Sequence, residues 1–285
     1  MNISQVKLTL LQLARGLILL GAMLCLNACE TRLTKLPAVL GRPLYAVDMN
    51  NNLVRFGSLS SRTITNTNFI NGLRDGETIL AIDFRPADRQ LYGLGSSNRL
   101  YVIDTLSGAA LQRGISAFSP SLSGASFGFD VNPVPDRLRL HSNAEQDLRF
   151  DPDTGVTAGR DSALAYANGD IYAGINPNIV GTAYTNSVRG ATSTTLYAID
   201  SFWDVLVTLP TPNNGQMLTV GALGVNTADF VGFDIAGRDG AAYAVLTVKP
   251  NGGSSLYQIN LSSGVATYLD DIGRNLILLG LAIMQ

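Results

Sequence analysis

Five short apolar segments recur along this chain at intervals of about 50 residues, and this period constrains the fold more than any other feature. The segments are ILAIDF (79–84), SFGFDV (126–131), IVGTAY (179–184), FVGFDI (230–235) and ILLGLAI (277–283). Each contains a small residue at the same place, namely Ala81, Gly128, Gly181, Gly232 and Gly280. A near-constant period of this length is typical of β-propellers, in which every repeat is one small sheet.

Three further short runs follow four of these segments, in the same order each time. The runs are rich in β-branched and aromatic residues and are bounded by Gly, Asn, Asp, Ser or Pro, a pattern that predicts strands joined by turns. The N-terminal part supplies only second, third and fourth strands (43–48, 52–57 and 62–67), whereas the C-terminus supplies a first strand (277–285) with nothing after it.

A ring that joins the two ends uses all of these strands and leaves no open sheet edge at the seam. We predict an all-β fold: a five-bladed β-propeller of four-stranded antiparallel blades, closed by the C-terminal strand pairing with the N-terminal blade. Two alternatives stay open, a sixth blade within 161–178 and a β-sandwich or open barrel with accidental spacing. No stretch after residue 30 has a clear 3.6-residue apolar period, so helices should be minor.

The first residues have the pattern of an export signal. Lys7 and Arg15 precede a short apolar run, 16–26, which is too short to span a bilayer core of about twenty residues. The tetrad 26–29 (LNAC) resembles the bacterial lipobox, in which the cysteine, here Cys29, is lipidated and becomes the first mature residue. We therefore expect a lipoprotein-type signal peptide over 1–28, a tether over 29–40 and the propeller over 41–285; the alternative is a plain secretory signal.

Composition excludes several classes of function. The chain has 20 Lys and Arg residues against 22 Asp and Glu residues, a balance that gives no basis for nucleic-acid binding. One histidine and two cysteines cannot build a disulfide framework, a His-rich zinc site or a four-cysteine zinc site. We expect the protein to be exported and monomeric. It should be a periplasmic or outer-membrane-anchored lipoprotein, or otherwise a secreted protein, and should contact the membrane through its N-terminal lipid only.

Three aspartates occupy equivalent places in the repeat, two positions after the small residue: Asp83, Asp130 and Asp234. Carboxylates at one mouth of the axis could hold a hard cation, and calcium is the one cofactor that the sequence suggests. Alternatively, each aspartate accepts backbone N–H bonds and opens the turn to its second strand. The turn interpretation is favoured by the context, because FRP, VNP and IAG follow the three positions.

A ligand surface is expected on the face that collects the fourth-to-first connections and the second-to-third turns. Its candidate binding residues are His141, Asn143, Gln146, Tyr166, Tyr172 and Trp203. An exposed Trp beside amides and tyrosines suits recognition of a sugar or peptide, although Trp203 could equally fill a gap between blades. No catalytic residue is assigned: the G-x-S-x-G pattern at 124–128 enters a strand rather than the strand-to-helix turn that such a nucleophile needs.

The run 128–139 (GFDVNPVPDRLR), together with the motifs 183–186 (AYTN) and 195–200 (TLYAID), resembles a bacterial domain-of-unknown-function family, DUF series 4394. The resemblance covers about 43–285. It implies a secreted or surface-attached propeller-like domain, and it brings no activity, cofactor or catalytic residue with it.

These features favour a non-enzymatic binding or scaffolding module that contacts another component of the cell envelope. Two alternatives remain. A carbohydrate-active glycoside hydrolase would use the three aspartates as channel carboxylates, and a calcium-stabilised adhesion module would use them as metal ligands.

Overall fold

The computed structural model describes residues 37–250 and 252–284, and these form five small antiparallel sheets arranged as a five-bladed β-propeller. Blade 1 contains β1 (Pro43–Asp48), β2 (Asn52–Gly57) and β3 (Asn66–Phe69), and blade 2 contains β4 (Ile79–Phe84), β5 (Leu91–Gly95), β6 (Arg99–Ile103) and β7 (Ala110–Arg113). Blade 3 contains β8 (Phe127–Asn132), β9 (Arg137–Ser142), β10 (Asp147–Phe150) and β11 (Thr157–Arg160), and blade 4 contains β12 (Ala165–Tyr166), β13 (Ile179–Tyr184), β14 (Leu196–Asp200), β15 (Val205–Thr211) and β16 (Gln216–Ala222). Blade 5 contains β17 (Thr227–Ile235), β18 (Ala242–Val248), β19 (Ser254–Ile259) and β20 (Ala266–Asp271), and the last strand, β21 (Leu278–Ile283), returns to blade 1.

The predicted closure of the ring is confirmed. Strand β21 pairs antiparallel with β1, with Tyr45 opposite Ala282 and Ala46 opposite Leu281, so blade 1 has the order β21-β1-β2-β3. The pairing covers the edge of β1 and buries Leu281 and Ile283 in the core.

The structure has no sixth blade among the described residues. Segment 161–178 contributes only β12, which adds in parallel to the outer strand β16 of blade 4. The fourth strand of blade 1 begins at Asn66 rather than at the predicted residue 62, because two turns precede it: the N–H of Ser60 bonds the Gly57 carbonyl and the N–H of Thr63 bonds the Ser60 carbonyl, both at 3.0 Å. Helix is limited, within the described part of the chain, to one 3₁₀ turn at Pro212–Asn214.

Burial of apolar side chains between neighbouring blades holds the ring together. Blades 4 and 5, for example, share a cluster in which Ile199 and Leu206 pack with Phe233 and Tyr257. The first strands β4, β8, β13, β17 and β21 surround the axis, and the two faces of the ring differ. We call the face with the fourth-to-first connections and second-to-third turns the loop-rich face, and the opposite one the closed face.

Residues 37–42 lead into the propeller from the closed face. The backbone N–H of Leu59 bonds the Leu40 carbonyl at 3.1 Å, and Arg42 pairs with Asp239 at 2.6 Å; Leu59 and Asp239 both lie in turns of the closed face. The predicted signal peptide, the lipidation residue Cys29 and most of the tether lie outside the described residues. Across residues 37–250 and 252–284, no helix has the length and apolar character needed to cross a membrane.

Candidate functional site

Asp83, Asp130 and Asp234 meet at the closed end of the propeller axis and form what we call the Asp cluster. Each lies near the end of an inner strand, and each is at most 3% exposed. One carboxylate oxygen from each residue lies within 4.8 Å of the other two. The fold therefore brings together three side chains that are separated in sequence by whole blades.

Backbone N–H groups of the neighbouring blade bond the Asp cluster. Asp83 Oδ2 accepts from the N–H of Val131 at 2.9 Å, Asp234 Oδ2 accepts from that of Ile283 at 2.6 Å, and Asp130 accepts from that of Tyr184. Asp234 Oδ1 also accepts from the N–H of Ile235, the residue that follows it, at 2.6 Å, and Asp83 accepts from the N–H of Phe84 in the same way. The local bond expected of a turn aspartate is therefore present, together with a link between blades that no local pattern could indicate.

Burial gives the Asp cluster unusual protonation behaviour. Loss of solvation raises the pKa of Asp234 to about 7. Desolvation also raises the pKa values of Asp83 and Asp130 well above the ordinary range, and repulsion between the carboxylates adds to the effect. Three negative charges are therefore strongly disfavoured in this site unless a cation balances them.

The axis above the Asp cluster is nearly filled. Its cavity has a volume of about 10 Å³ and is lined by residues of the five inner strands, both small and large apolar ones. A Cβ atom on Gly232 would lie 2.8 Å from Cβ of Leu281 and closer still to the backbone of Gly280, so the blades approach as closely as glycine allows. A sugar ring does not fit in this cavity.

Two predicted ligand residues are core residues instead. His141 is fully buried, and its Nδ1 lies 2.9 Å from Oγ1 of Thr182. Tyr166 is also buried, and its hydroxyl donates to Asp200 Oδ2 at 2.6 Å. His141 faces the neighbouring blade 4, and Tyr166 packs in the apolar cluster of blade 4. Strand alternation decides which side chains are buried, and closeness to a turn does not reveal it.

Asn143 and Gln146 lie on the loop-rich face, where they hold a neighbouring loop. Asn143 Oδ1 accepts from the N–H of Ala125 at 2.9 Å. Gln146 Oε1 accepts from the N–H of Ser123 at 3.0 Å, and its Nε2 donates to the Ser121 carbonyl at 2.8 Å. These bonds occupy the amide groups expected to face a ligand.

Tyr172 and Trp203 stack with a centroid distance of 4.6 Å, and Phe202 meets Trp203 edge-on at 4.9 Å. Tyr172 and Trp203 pack against the apolar cluster of blade 4. Phe202 is 66% exposed and is the member of the stack that faces solvent.

A groove on the loop-rich face between blades 5 and 1 was not predicted. It has a volume of about 480 Å³ and is bordered by Phe230, Val248, Lys249, Asn275 and Ile277. An adjoining cavity of about 710 Å³ shares Lys249 and Asn275 and continues along the β18–β19 hairpin. The residues that border the groove come from three separate segments of the chain that share no motif. In the sequence, the Lys-Pro-Asn-Gly-Gly loop at 249–253 was the one feature that pointed to this surface.

Comparison with solved structures shows the fold alone. A protein of unknown function from Bacteroides thetaiotaomicron is 14% identical, with a TM-score of 0.52, over 83% of this chain and 57% of its own. Glutaminyl cyclase from Myxococcus xanthus is 11% identical, with a TM-score of 0.48, over 82% and 97% of the two chains. PorZ, a surface component of the type-IX secretion system of Porphyromonas gingivalis, is 14% identical, with a TM-score of 0.41, over 84% and 28%.

This chain thus spans little more than half the length of the Bacteroides protein. No protein of curated function matches it significantly. A family model described as a domain of unknown function, DUF4394, matches residues 52–282. Because this match covers most of the sequence, the chain belongs to the DUF4394 family.

Proposed function

We propose that this protein is an exported, lipid-anchored β-propeller that binds a partner in the cell envelope without chemical turnover, through the groove between blades 5 and 1. One observation carries the proposal. The groove on the loop-rich face has the volume of a ligand site, about 480 Å³, whereas the axial cavity of about 10 Å³ holds no more than one water molecule.

The groove indicates the chemistry of the ligand. Phe230, Val248 and Ile277 are partly exposed and offer an apolar wall, while Lys249 and Asn275 are exposed and offer a positive charge and an amide. Arg274 lines the adjoining cavity and adds a second positive charge. A peptide segment with an apolar side chain and a nearby carboxylate fits this combination, because aliphatic burial and a charge-assisted hydrogen bond would act together.

The point at which the chain enters the propeller supports a surface-facing groove. Residues 40–42 contact the closed face, opposite the groove. A tether of 29–40 attached to a lipid at Cys29 would be about 40 Å long at most. Attachment through this segment would leave the loop-rich face unobstructed.

Two experiments test the proposal. The first labels cells with a fatty-acid analogue and separates their membranes: the wild-type protein should carry the label and sediment with membranes, whereas Cys29→Ser should be unlabelled and soluble. An unlabelled wild-type protein would contradict the lipid anchor.

The second experiment screens a library of acidic and neutral peptides against the protein by thermal shift. Peptides that bind should lose about tenfold or more in affinity with Lys249→Ala, the change expected when one charge-assisted bond is removed. Leu111→Ala, on an exposed outer strand, is the matched control and should leave binding unchanged. Equal binding by wild type and Lys249→Ala would refute the groove as the site.

A further inference from the structure

The Asp cluster has no positive partner of its own. In the described residues, no Lys or Arg forms an ion pair with Asp83, Asp130 or Asp234. Arg42 influences Asp234 only through space, since its guanidinium already pairs with Asp239 at 2.6 Å. A buried group of like charges without a counterion is expensive, so the site must take up either protons or a cation.

An unpartnered oxygen in the Asp cluster favours the cation. Oδ1 of Asp130 is completely buried and has no hydrogen-bond partner, although buried carboxylate oxygens are normally bonded. The side chain is 1% exposed, and the charges nearest to it are those of Asp83 and Asp234. This oxygen is therefore a buried, unpartnered ligand atom in a cluster whose other members are carboxylates.

The spacing of the oxygens fits one metal better than the other common hard cation. Calcium binds oxygen at 2.3–2.6 Å, so two of its ligands can be separated by up to about 5 Å. Magnesium binds at 2.0–2.1 Å and limits that separation to about 4.2 Å. The three oxygens lie within 4.8 Å of one another, a separation that two ligands of one calcium ion can span.

We propose that Asp83, Asp130 and Asp234 bind one calcium ion at the closed end of the axis. The ion joins the inner strands of blades 2, 3 and 5. The equivalent positions in blades 4 and 1 are Ala183 and Ala282, which limits the ring to three carboxylates around the ion. This site is separate from the groove, and it would act on the stability of the ring rather than on the ligand.

The experiment measures bound metal. Because the site is buried, the protein is unfolded in guanidinium and refolded with calcium, with magnesium or with a chelator, then desalted and analysed by mass spectrometry of its metal content. We expect one calcium per chain, no retained magnesium, and a higher Tm after refolding with calcium than with the chelator.

Asp130→Asn is the informative variant, since it keeps the shape of the side chain and removes one charge. It should lose the bound calcium, its Tm should no longer respond to calcium, and in the chelator it should be more stable than wild type at mildly alkaline pH. Asp104→Asn, in an exposed turn of blade 2, is the matched control and should retain one calcium. Asp83→Asn provides a second test should Asp130→Asn fail to fold.

Two results would overturn the proposal. One is a wild-type protein that retains no calcium after refolding and has the same Tm with calcium and with the chelator, which would mean that the Asp cluster carries protons instead. The other is full retention of calcium by the Asp130→Asn and Asp83→Asn variants, which would place the ion elsewhere.

Discussion

Replacing Arg139 by leucine tests how blades 3 and 4 are joined. The Arg139 side chain is 2% exposed and lies in β9. Its guanidinium donates to the Tyr184 hydroxyl at 2.7 Å, to Asp147 Oδ1 at 2.5 Å, to Asp161 Oδ2 at 3.0 Å and to Asn213 Oδ1 at 2.6 Å. One side chain thus satisfies four acceptors, two of which belong to the next blade.

The cost of the substitution follows from the burial of its partners. Asp147 is fully buried, so removal of Arg139 leaves a carboxylate in the core without its guanidinium partner, with His141 Nε2 at 3.5 Å. Breaking a buried pair in this way costs about 3–5 kcal/mol. The Tyr184 and Asn213 acceptors also lose a partner, while leucine regains some apolar burial, and we expect a net loss of about 4 kcal/mol in the free energy of unfolding.

Guanidinium denaturation followed by the fluorescence of Trp203, the single tryptophan, measures this loss. Arg62→Leu is the matched control: Arg62 forms exposed pairs with Asp270 and Asp271, and its loss should leave the midpoint unchanged. Adding Asp147→Asn to Arg139→Leu should recover part of the loss, because the unpaired charge is then gone. If Arg139→Leu shifted the midpoint no more than Arg62→Leu, or if Asp147→Asn recovered nothing, the argument from buried charge would be refuted.

Three further predictions concern the axis, the seam and pH. Gly232→Ala should destabilise the ring by at least about 2 kcal/mol in chemical denaturation, because the new Cβ would overlap the backbone of Gly280. Gly252→Ala is the control and should be neutral, because its Cβ would meet no close atom. Equal effects of the two substitutions would show that the axis has room to adjust. Deletion of 277–285 should abolish cooperative thermal unfolding and cause aggregation that light scattering detects, because it exposes the edge of β1. A truncated protein that stays monomeric and unfolds cooperatively would contradict the argument that β21 closes the ring. Burial would raise the pKa of Glu77, but hydrogen bonds from Ser97 and Tyr101 outweigh it and hold that pKa below its usual range. The stability that the Glu77 carboxylate contributes is therefore present near neutral pH and is lost as the pH falls below about 4. The difference in free energy of unfolding between wild type and Glu77→Gln should shrink at low pH. A difference that stays constant with pH would contradict a lowered pKa for Glu77.

The sequence by itself determined the architecture of this protein. Runs of four to seven residues that are rich in β-branched and aromatic side chains and bounded by turn residues encode strands locally, and the period of about 50 residues counts the blades. The small residues of the inner strands, such as Gly128 and Gly232, already indicated a crowded axis. The incomplete units at the two ends could be completed only by each other, and the pairing of Tyr45 with Ala282 is the result.

Tertiary structure decided everything that depends on which blades face each other. Strand periodicity identified Asp83, Asp130 and Asp234 as equivalent residues but could not give their separation, because that distance depends on how closely the five sheets pack round the axis. His141 belongs to the core for a similar reason, since its partner Thr182 lies in the neighbouring blade. The groove at Lys249 forms where the β18–β19 hairpin meets the connection to β21, and such a surface exists only once the ring is closed. Local backbone preferences and turn chemistry act over a few residues, whereas these sites arise from packing between units about 50 residues apart.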